Sequence, residues 1–103
     1  MNIGTAIKTL RKEKGYSQKE FADKCALSVN ALCQIETNNS FPQKSTINKV
    51  CEVLEIPTSY LLFFSISAED IPEAQREIFD TLSGPIKNVL LREVADSKKE
   101  IMN

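Results

Sequence analysis

The sequence contains no histidine, and its three glycines are scattered rather than grouped. Histidine is the side chain that most often transfers protons in catalysis, so the usual general base is missing. Scattered glycines cannot form the glycine-rich loop that cradles phosphate groups. The carboxylates stand singly on the faces of predicted helices and form no acid–base pair. These absences predict that the protein is not an enzyme and needs no cofactor.

Cysteine is sparse as well. Cys25, Cys33 and Cys51 are odd in number and show no C-x-x-C spacing. Because histidine is absent too, the sequence predicts no metal site. Cys25 and Cys51 lie on apolar helix faces and are expected to be small buried side chains. The sequence leaves open whether Cys33 is redox-active.

Long hydrophobic runs are also missing. The longest, residues 60–64, has five members, which suits a buried helix and is too short to span a membrane. The N-terminal residues show no signal-peptide pattern, so a cytoplasmic protein without membrane contact is expected. A length of 103 residues with 42% hydrophobic content predicts one domain, or one small domain with an appendage.

The formal net charge of −1 conceals an uneven distribution. Residues 1–50 contain eight basic and four acidic side chains, a net charge of +4. Residues 51–103 contain five basic and ten acidic side chains, a net charge of −5. Such asymmetry between halves indicates nucleic-acid contact by the basic half.

The segment from Ser17 to Pro42 reads SQKEFADKCALSVNALCQIETNNSFP and predicts two short helices joined by a tight turn. Ser17 and Glu20 have the spacing of a capping box, and Ser28 is a second N-cap candidate. Apolar residues recur at helical spacing on the inner faces. The outer face of the second helix shows no charge: Val29, Asn30, Cys33 and Gln34. Amides on the second of two such helices suit the reading of base edges in a major groove.

This segment resembles the helix-turn-helix domain of the phage repressor and Cro family, also called the XRE-type family. The residues that carry the resemblance are Ser17-Gln18-Lys19-Glu20-Phe21-Ala22, Ala26-Leu27-Ser28, Leu32-Cys33-Gln34-Ile35-Glu36-Thr37-Asn38 and Pro42. The resemblance covers roughly residues 3–64 and says nothing about the rest. Two positions depart from the family pattern, because its turn glycine is Ala26 and the glycine after its second helix is Asn38. If position 26 needs a positive φ, alanine costs about 1–2 kcal/mol there.

The resemblance and the chemistry of the side chains together predict a set of site residues. Asn30 and Gln34 are expected to bond adenine through their amides, and Val29 is expected to contact a thymine methyl group. Contacts to the DNA backbone are expected from Ser17, Gln18, Ser28, Thr37, Asn38, Asn39 and Lys44. The resemblance implies a structural ion pair between Arg11 and Glu36 and a bracing role for Gln18.

Helical periodicity predicts an all-α chain with five helices before residue 65, and the resemblance implies that residues 1–66 form a lambda-repressor-like domain. The helices are expected near residues 3–14, 17–25, 28–36, 44–55 and 58–64. Residues 67–103 are expected to form a helical hairpin. Its first helix opens at residues 69–72 and carries Ile71, Ala74, Ile78 and Leu82 on one face; Ser83-Gly84-Pro85 breaks it. Its second helix carries Ile86, Val89, Leu90 and Val94 on one stripe, with Ile101 as a further candidate.

The sequence thus predicts a transcription regulator of the repressor type that binds a palindromic double-stranded DNA operator. A homodimer through residues 69–103 is expected, because the apolar stripes exceed what a lone hairpin can bury; the alternative is that these helices fold back onto the first domain. Two other functions stay open. One is an antitoxin-like regulator that also binds a toxin, and the other is a protein-interaction module without DNA binding.

Overall fold

The computed structural model describes residues 1–102, with side chains as far as Val94. All regular secondary structure in this part of the chain is helical and no strand occurs in it, so the predicted all-α class is confirmed. Six α-helices and two short 3-10 turns follow one another: α1 (Ile3–Glu13), α2 (Gln18–Lys24), α3 (Val29–Glu36), α4 (Lys44–Leu54), α5 (Thr58–Ser65), turns at Ala68–Asp70 and Glu73–Gln75, and α6 (Arg76–Met102). The first five helices lie within two residues of their predicted bounds.

The first helix supplies one wall of the core. Ile3, Ile7 and Leu10 recur at helical spacing on α1 and are buried. The chain then leaves the helix through Gly15, whose φ of 81° is the left-handed conformation that ends many helices. Side chains from the other helices complete the core against α1, the largest wholly buried ones being Phe21, Leu32, Val50, Leu54 and Leu61.

The C-terminal segment departs from the predicted hairpin. Residues 68–75 form two 3-10 turns, so the first long helix begins at Arg76 and not near residue 69. The predicted break at Ser83-Gly84-Pro85 is wrong, because α6 continues through Pro85 as one helix. The side chain of Ile101 lies outside the described residues.

The helix tolerates Pro85 for physical reasons. Proline removes one backbone hydrogen bond and costs about 3 kcal/mol in a helix interior. The carbonyl left without a partner belongs to Thr81, which is exposed and open to water. Clash with the preceding Cβ is avoided because residue 84 is glycine. Helical packing beyond the proline, through Leu91 and Val94, then holds the later turns in place.

The helix α6 has two different faces. One face lies against α1 and α5, where Val94 is 3% exposed, Leu91 packs on the core, and the Tyr60 hydroxyl donates to Glu93 Oε2 at 3.3 Å. The opposite face carries an exposed apolar stripe at spacings of four, four and three residues, namely Ile78, Leu82, Ile86 and Val89. Part of the C-terminal segment therefore folds back onto the first domain, and part of it points away.

Among the described residues, no helix combines the length and the apolar character that crossing a membrane requires.

Candidate nucleic-acid interface

The two motif helices begin where their caps are. The Ser17 Oγ accepts a hydrogen bond from the Glu20 N–H at 3.1 Å, and Glu20 Oε1 accepts from the Ser17 N–H at 3.2 Å. Likewise Ser28 Oγ accepts from the Ala31 N–H at 3.0 Å. In each case the serine oxygen satisfies a helix N–H while its own hydroxyl proton is still available to donate.

The turn between α2 and α3 has the backbone that the family's glycine would favour. Ala26 has a φ of 58°, in the left-handed region. The Leu27 N–H donates to the Ala22 carbonyl at 2.8 Å, and the Ala26 N–H donates to the Asp23 carbonyl at 3.2 Å. These two bonds cover carbonyls at the end of α2 and turn the chain into α3. The geometry of the turn therefore keeps Ala26 in a strained backbone conformation.

The helix α3 presents the uncharged face that the sequence predicts. Leu32 and Ile35 face the core at 0% and 6% exposure, respectively. Asn30 and Gln34 are exposed, Val29 is 43% exposed, and Cys33 is half-buried beside them. The described contacts leave both amides without an intramolecular side-chain partner. They are therefore available to bases.

A buried ion pair fixes the last turn of α3. Arg11 Nε lies 2.7 Å from Glu36 Oε2, and Arg11 Nη2 lies 3.2 Å from Glu36 Oε1. The side chains are 7% and 2% exposed, and Arg11 Nη1 also donates to the Tyr16 carbonyl at 2.8 Å. Such two-point pairing sets both distance and orientation. The last turn of α3 is thereby tied to the last turn of α1.

Gln18 joins this network from α2. Its Nε2 donates to Glu36 Oε1 at 3.1 Å, which is the brace that the resemblance implies. The amide nitrogen carries a second hydrogen, and the side chain is only partly buried. Gln18 can therefore brace α3 and still donate to a phosphate.

The residues after α3 differ in what they can offer to DNA. Thr37 donates its hydroxyl to the Cys33 carbonyl at 2.9 Å and its N–H to the same carbonyl at 3.0 Å, so neither donor is left over. Asn38 uses both ends of its side chain within the protein. Asn39 and Lys44 are exposed, and within the described part of the chain their side chains make no hydrogen bond or ion pair. These two are the best placed of the predicted backbone contacts in this loop.

Three residues near this surface escaped the sequence analysis. Phe41 is 68% exposed in the loop before Lys44, although its neighbour Pro42 is buried. Gly4 and Thr5 contact Asn38 from α1. A glycine inside a helical pattern is a signal of close packing, and it could have pointed to Gly4.

The cysteines divide into two chemical environments. Burial raises the pKa of the Cys25 thiol to about 11, and burial also raises the pKa of Cys51. A raised pKa lowers the thiolate fraction and hence the reactivity. Cys33 is half-buried on the outer face of α3. Within the described residues no group of histidine, cysteine or acidic side chains has the arrangement of a metal site.

Comparison with known proteins places this geometry in a family. A family model described as a helix-turn-helix domain matches residues 4–62. The chain belongs to the XRE-type family of helix-turn-helix regulators. It is 31% identical over 102 residues to the HTH-type transcriptional regulator SinR of Bacillus subtilis, covering 94% of this chain and 92% of SinR. It is 34% identical over 62 residues to the regulator ImmR of the same organism, with 60% of this chain and 49% of ImmR covered.

A phage protein shows the same relationship. The immunity repressor protein of Bacillus phage phi105 is 36% identical over 62 residues, which are 60% of this chain and 43% of the repressor. The shorter matches span about half of those relatives or less, whereas the match to SinR includes the C-terminal segment. With the fold, these relationships make the protein a DNA-binding regulator of transcription.

Proposed function

We propose that the protein is a repressor that reads one half of a palindromic operator with α3 and does so as a homodimer. The observation that carries the proposal is the outer face of α3, where Asn30 and Gln34 are exposed and uncharged on a helix whose position is fixed by the buried Arg11–Glu36 pair. A helix held this way presents amides at defined positions, and amides can distinguish base edges.

Base reading is assigned to three side chains of α3. Asn30 and Gln34 can each bond the N6 and N7 atoms of adenine, and Val29 can contact the methyl group of thymine. Phosphate contacts are assigned to Ser17, Ser28, Gln18, Asn39 and Lys44, since these side chains keep donors available. The first turn of α4 also supports a phosphate contact, because Gln43 makes no side-chain cap and the helix N–H groups beside Lys44 are uncapped.

Thiol protection tests the placement of DNA on α3 without any substitution. Cys33 is half-buried on the reading face, whereas Cys25 and Cys51 lie in the core. A small alkylating reagent is therefore expected to label Cys33 alone in the folded protein. Bound operator should protect Cys33 from the reagent, and Cys33→Ser is the matched unlabelled control. Labelling of Cys33 at the same rate with and without saturating operator would show that DNA does not cover this face of α3.

Substitution separates base reading from backbone contact. After an operator is selected from a random duplex library, Asn30→Ala and Gln34→Ala should each relax preference at a different base pair by roughly 1–3 kcal/mol. Lys44→Ala should weaken binding to all sequences about equally and lower the slope of log affinity against log salt by about 1. If both amide variants bind the selected operator as tightly as the parent, the assignment to α3 is wrong.

The apolar stripe of α6 supports the dimer. Ile78, Leu82, Ile86 and Val89 are 48–63% exposed on the face opposite the one that packs on α1. A monomer would leave this continuous patch in water, while a second copy would cover it with an identical stripe. Two linked copies would then place two α3 helices on half-sites one helical turn apart, or a multiple of that.

Charge placed in the stripe tests the dimer. Leu82→Glu should dissociate the dimer in sedimentation experiments and weaken binding to a full palindrome far more than to a half-site. Leu62→Glu is the matched control, because Leu62 is 39% exposed on α5 and lies outside the stripe. If the parent sediments as a monomer at high micromolar concentration, the stripe does not form a homodimer. The stripe would then be a binding surface for another protein, as in an antitoxin-like or purely protein-binding function.

A further inference from the structure

Asn38 links the end of the recognition helix to the beginning of the first helix. It follows α3 after Thr37 and has a φ of 62°. Its Oδ1 accepts a hydrogen bond from the Gly4 N–H at 3.0 Å, and its Nδ2 donates to Thr5 Oγ1 at 3.0 Å. Its own N–H donates to the Ile35 carbonyl at 3.0 Å. Both polar atoms of the Asn38 side chain are thus used within the protein.

The Asn38 link caps an N–H group of α1 that α1 itself leaves without an acceptor. The residue before α1, Asn2, makes no side-chain cap. Gly4 is the second residue of the helix, so its N–H is one of those that helical hydrogen bonding leaves without a partner. Asn38 supplies the missing acceptor from a different element. A helix cap is therefore also a tie between α1 and α3.

Gly4 allows the two elements to approach closely enough for this tie. A Cβ at position 4 would overlap the carbonyl oxygen of Ile35 and would lie 2.7 Å from Asn38 Oδ1. Only glycine fits at such a distance, so the first turn of α1 lies directly against the backbone at the end of α3.

Two separate sets of contacts hold the same end of α3. The Arg11–Glu36 pair attaches it to the last turn of α1, and the Asn38 link attaches it to the first turn. One attachment point would permit α3 to rotate about it. Two points at opposite ends of an eleven-residue helix remove that rotation.

We infer that Asn38 is a positioning residue that sets the angle at which α3 enters the major groove. The inference rests on the proposed function. A side chain that contacts no base can still control base discrimination, because amides displaced by a fraction of an ångström lose the geometry of two-point hydrogen bonding. In most of the family a glycine stands at this position, as the resemblance implies, and a glycine could not make this link.

The test compares the ratio of affinities for the selected operator and for a random duplex. Asn38→Gly removes the link and at the same time relieves the positive φ, so its folding is protected. The ratio is expected to fall about tenfold, while affinity for the random duplex stays near that of the parent. Thr5→Val removes only the acceptor on α1 and should lower the ratio in the same direction. If Asn38→Gly does not fold, the Thr5→Val variant alone tests the positioning role.

Asn38→Asp is the conservative variant. Its carboxylate can accept from both the Gly4 N–H and the Thr5 hydroxyl, so the link survives. The added negative charge should weaken binding to both duplexes and leave the ratio close to that of the parent. Asn39→Gly is the matched control beside it, with an expected loss on both duplexes and an unchanged ratio.

The outcomes separate this inference from the function on which it rests. A parent that prefers the selected operator, together with an Asn38→Gly variant that keeps the parental ratio, overturns the positioning role and leaves the proposed function intact. An Asn38→Gly variant that loses affinity equally on both duplexes also overturns it, because that result indicates a direct phosphate contact. A parent that binds all duplexes alike overturns both.

Discussion

Replacing Ala26 by glycine should make the protein more stable. Ala26 has a φ of 58° in the turn between α2 and α3, and a left-handed alanine costs about 1–2 kcal/mol relative to glycine. Glycine in turn raises the conformational entropy of the unfolded chain, which offsets about 0.4–1 kcal/mol. The methyl group is exposed, so its removal opens no cavity. The net expectation is a gain of about 0.5–1 kcal/mol in the free energy of unfolding.

Urea denaturation followed by circular dichroism measures this change directly. A gain of that size should raise the urea midpoint with an unchanged slope, and it should raise the melting temperature by about 2–8 °C. Gly15→Ala is the inverse control, since Gly15 has a φ of 81° at the end of α1 and alanine should lower the free energy of unfolding there. Operator affinity should stay unchanged in Ala26→Gly, because the hydrogen bonds of the turn are made by backbone atoms.

One combination of results would refute this reasoning. If Gly15→Ala destabilises the protein but Ala26→Gly has no effect or a destabilising one, then positive φ at position 26 is not a source of strain. The backbone of the turn would then differ from the one described.

Two further substitutions test packing around α3. Gly4→Ala should lower the free energy of unfolding by roughly 1–3 kcal/mol, since overlap with the Ile35 carbonyl outweighs the better helix propensity of alanine. A Gly4→Ala variant with the urea midpoint of the parent would contradict the close approach. Arg11→Met should lower the free energy of unfolding by about 3–5 kcal/mol, because it leaves the Glu36 carboxylate buried without a cation. Adding Glu36→Met should restore much of that stability. A double variant as unstable as the single one would show that packing, and not charge, dominates.

The DNA-binding half could be predicted from the sequence because its signals are local. Ser17 and Ser28 mark helix starts, Gly15 marks a helix end, and the apolar spacing in between assigns the buried faces. Each of these signals acts within one or two helical turns, so distant tertiary contacts change the local structure little. Comparison with the family's glycine raised a positive φ at position 26 as a condition, and Ala26 has it.

The C-terminal segment could not be predicted because its outcome depends on distant contacts. Gly84-Pro85 is a strong local signal for a helix end, yet α6 continues through it. The packing of Leu91 and Val94 against the core holds the helix beyond the proline, and no local pattern reports that packing. The exposed stripe was likewise assigned to two helices when it belongs to one.

The role of Asn38 escaped prediction for a related reason. Position in the sequence places Asn38 in the loop after α3, where the resemblance implies contacts to phosphate. Its side chain, however, is directed toward Gly4 and Thr5, more than thirty residues earlier. A hydrogen bond between distant residues is not visible in the spacing of a motif.

These contacts make α1 the element on which the reading of DNA depends. The helix α3 has eight residues, and an isolated helix of that length is unstable in water. Its position therefore comes from its neighbours: Glu36 and Asn38 tie it to the two ends of α1. The same helix α1 also packs against α6, whose opposite face carries the apolar stripe. A dimer formed through the stripe would consequently hold its two α3 helices at a separation set by rigid helical contacts, and the spacing of half-sites in the operator would be a property of α1 and α6 as much as of α3.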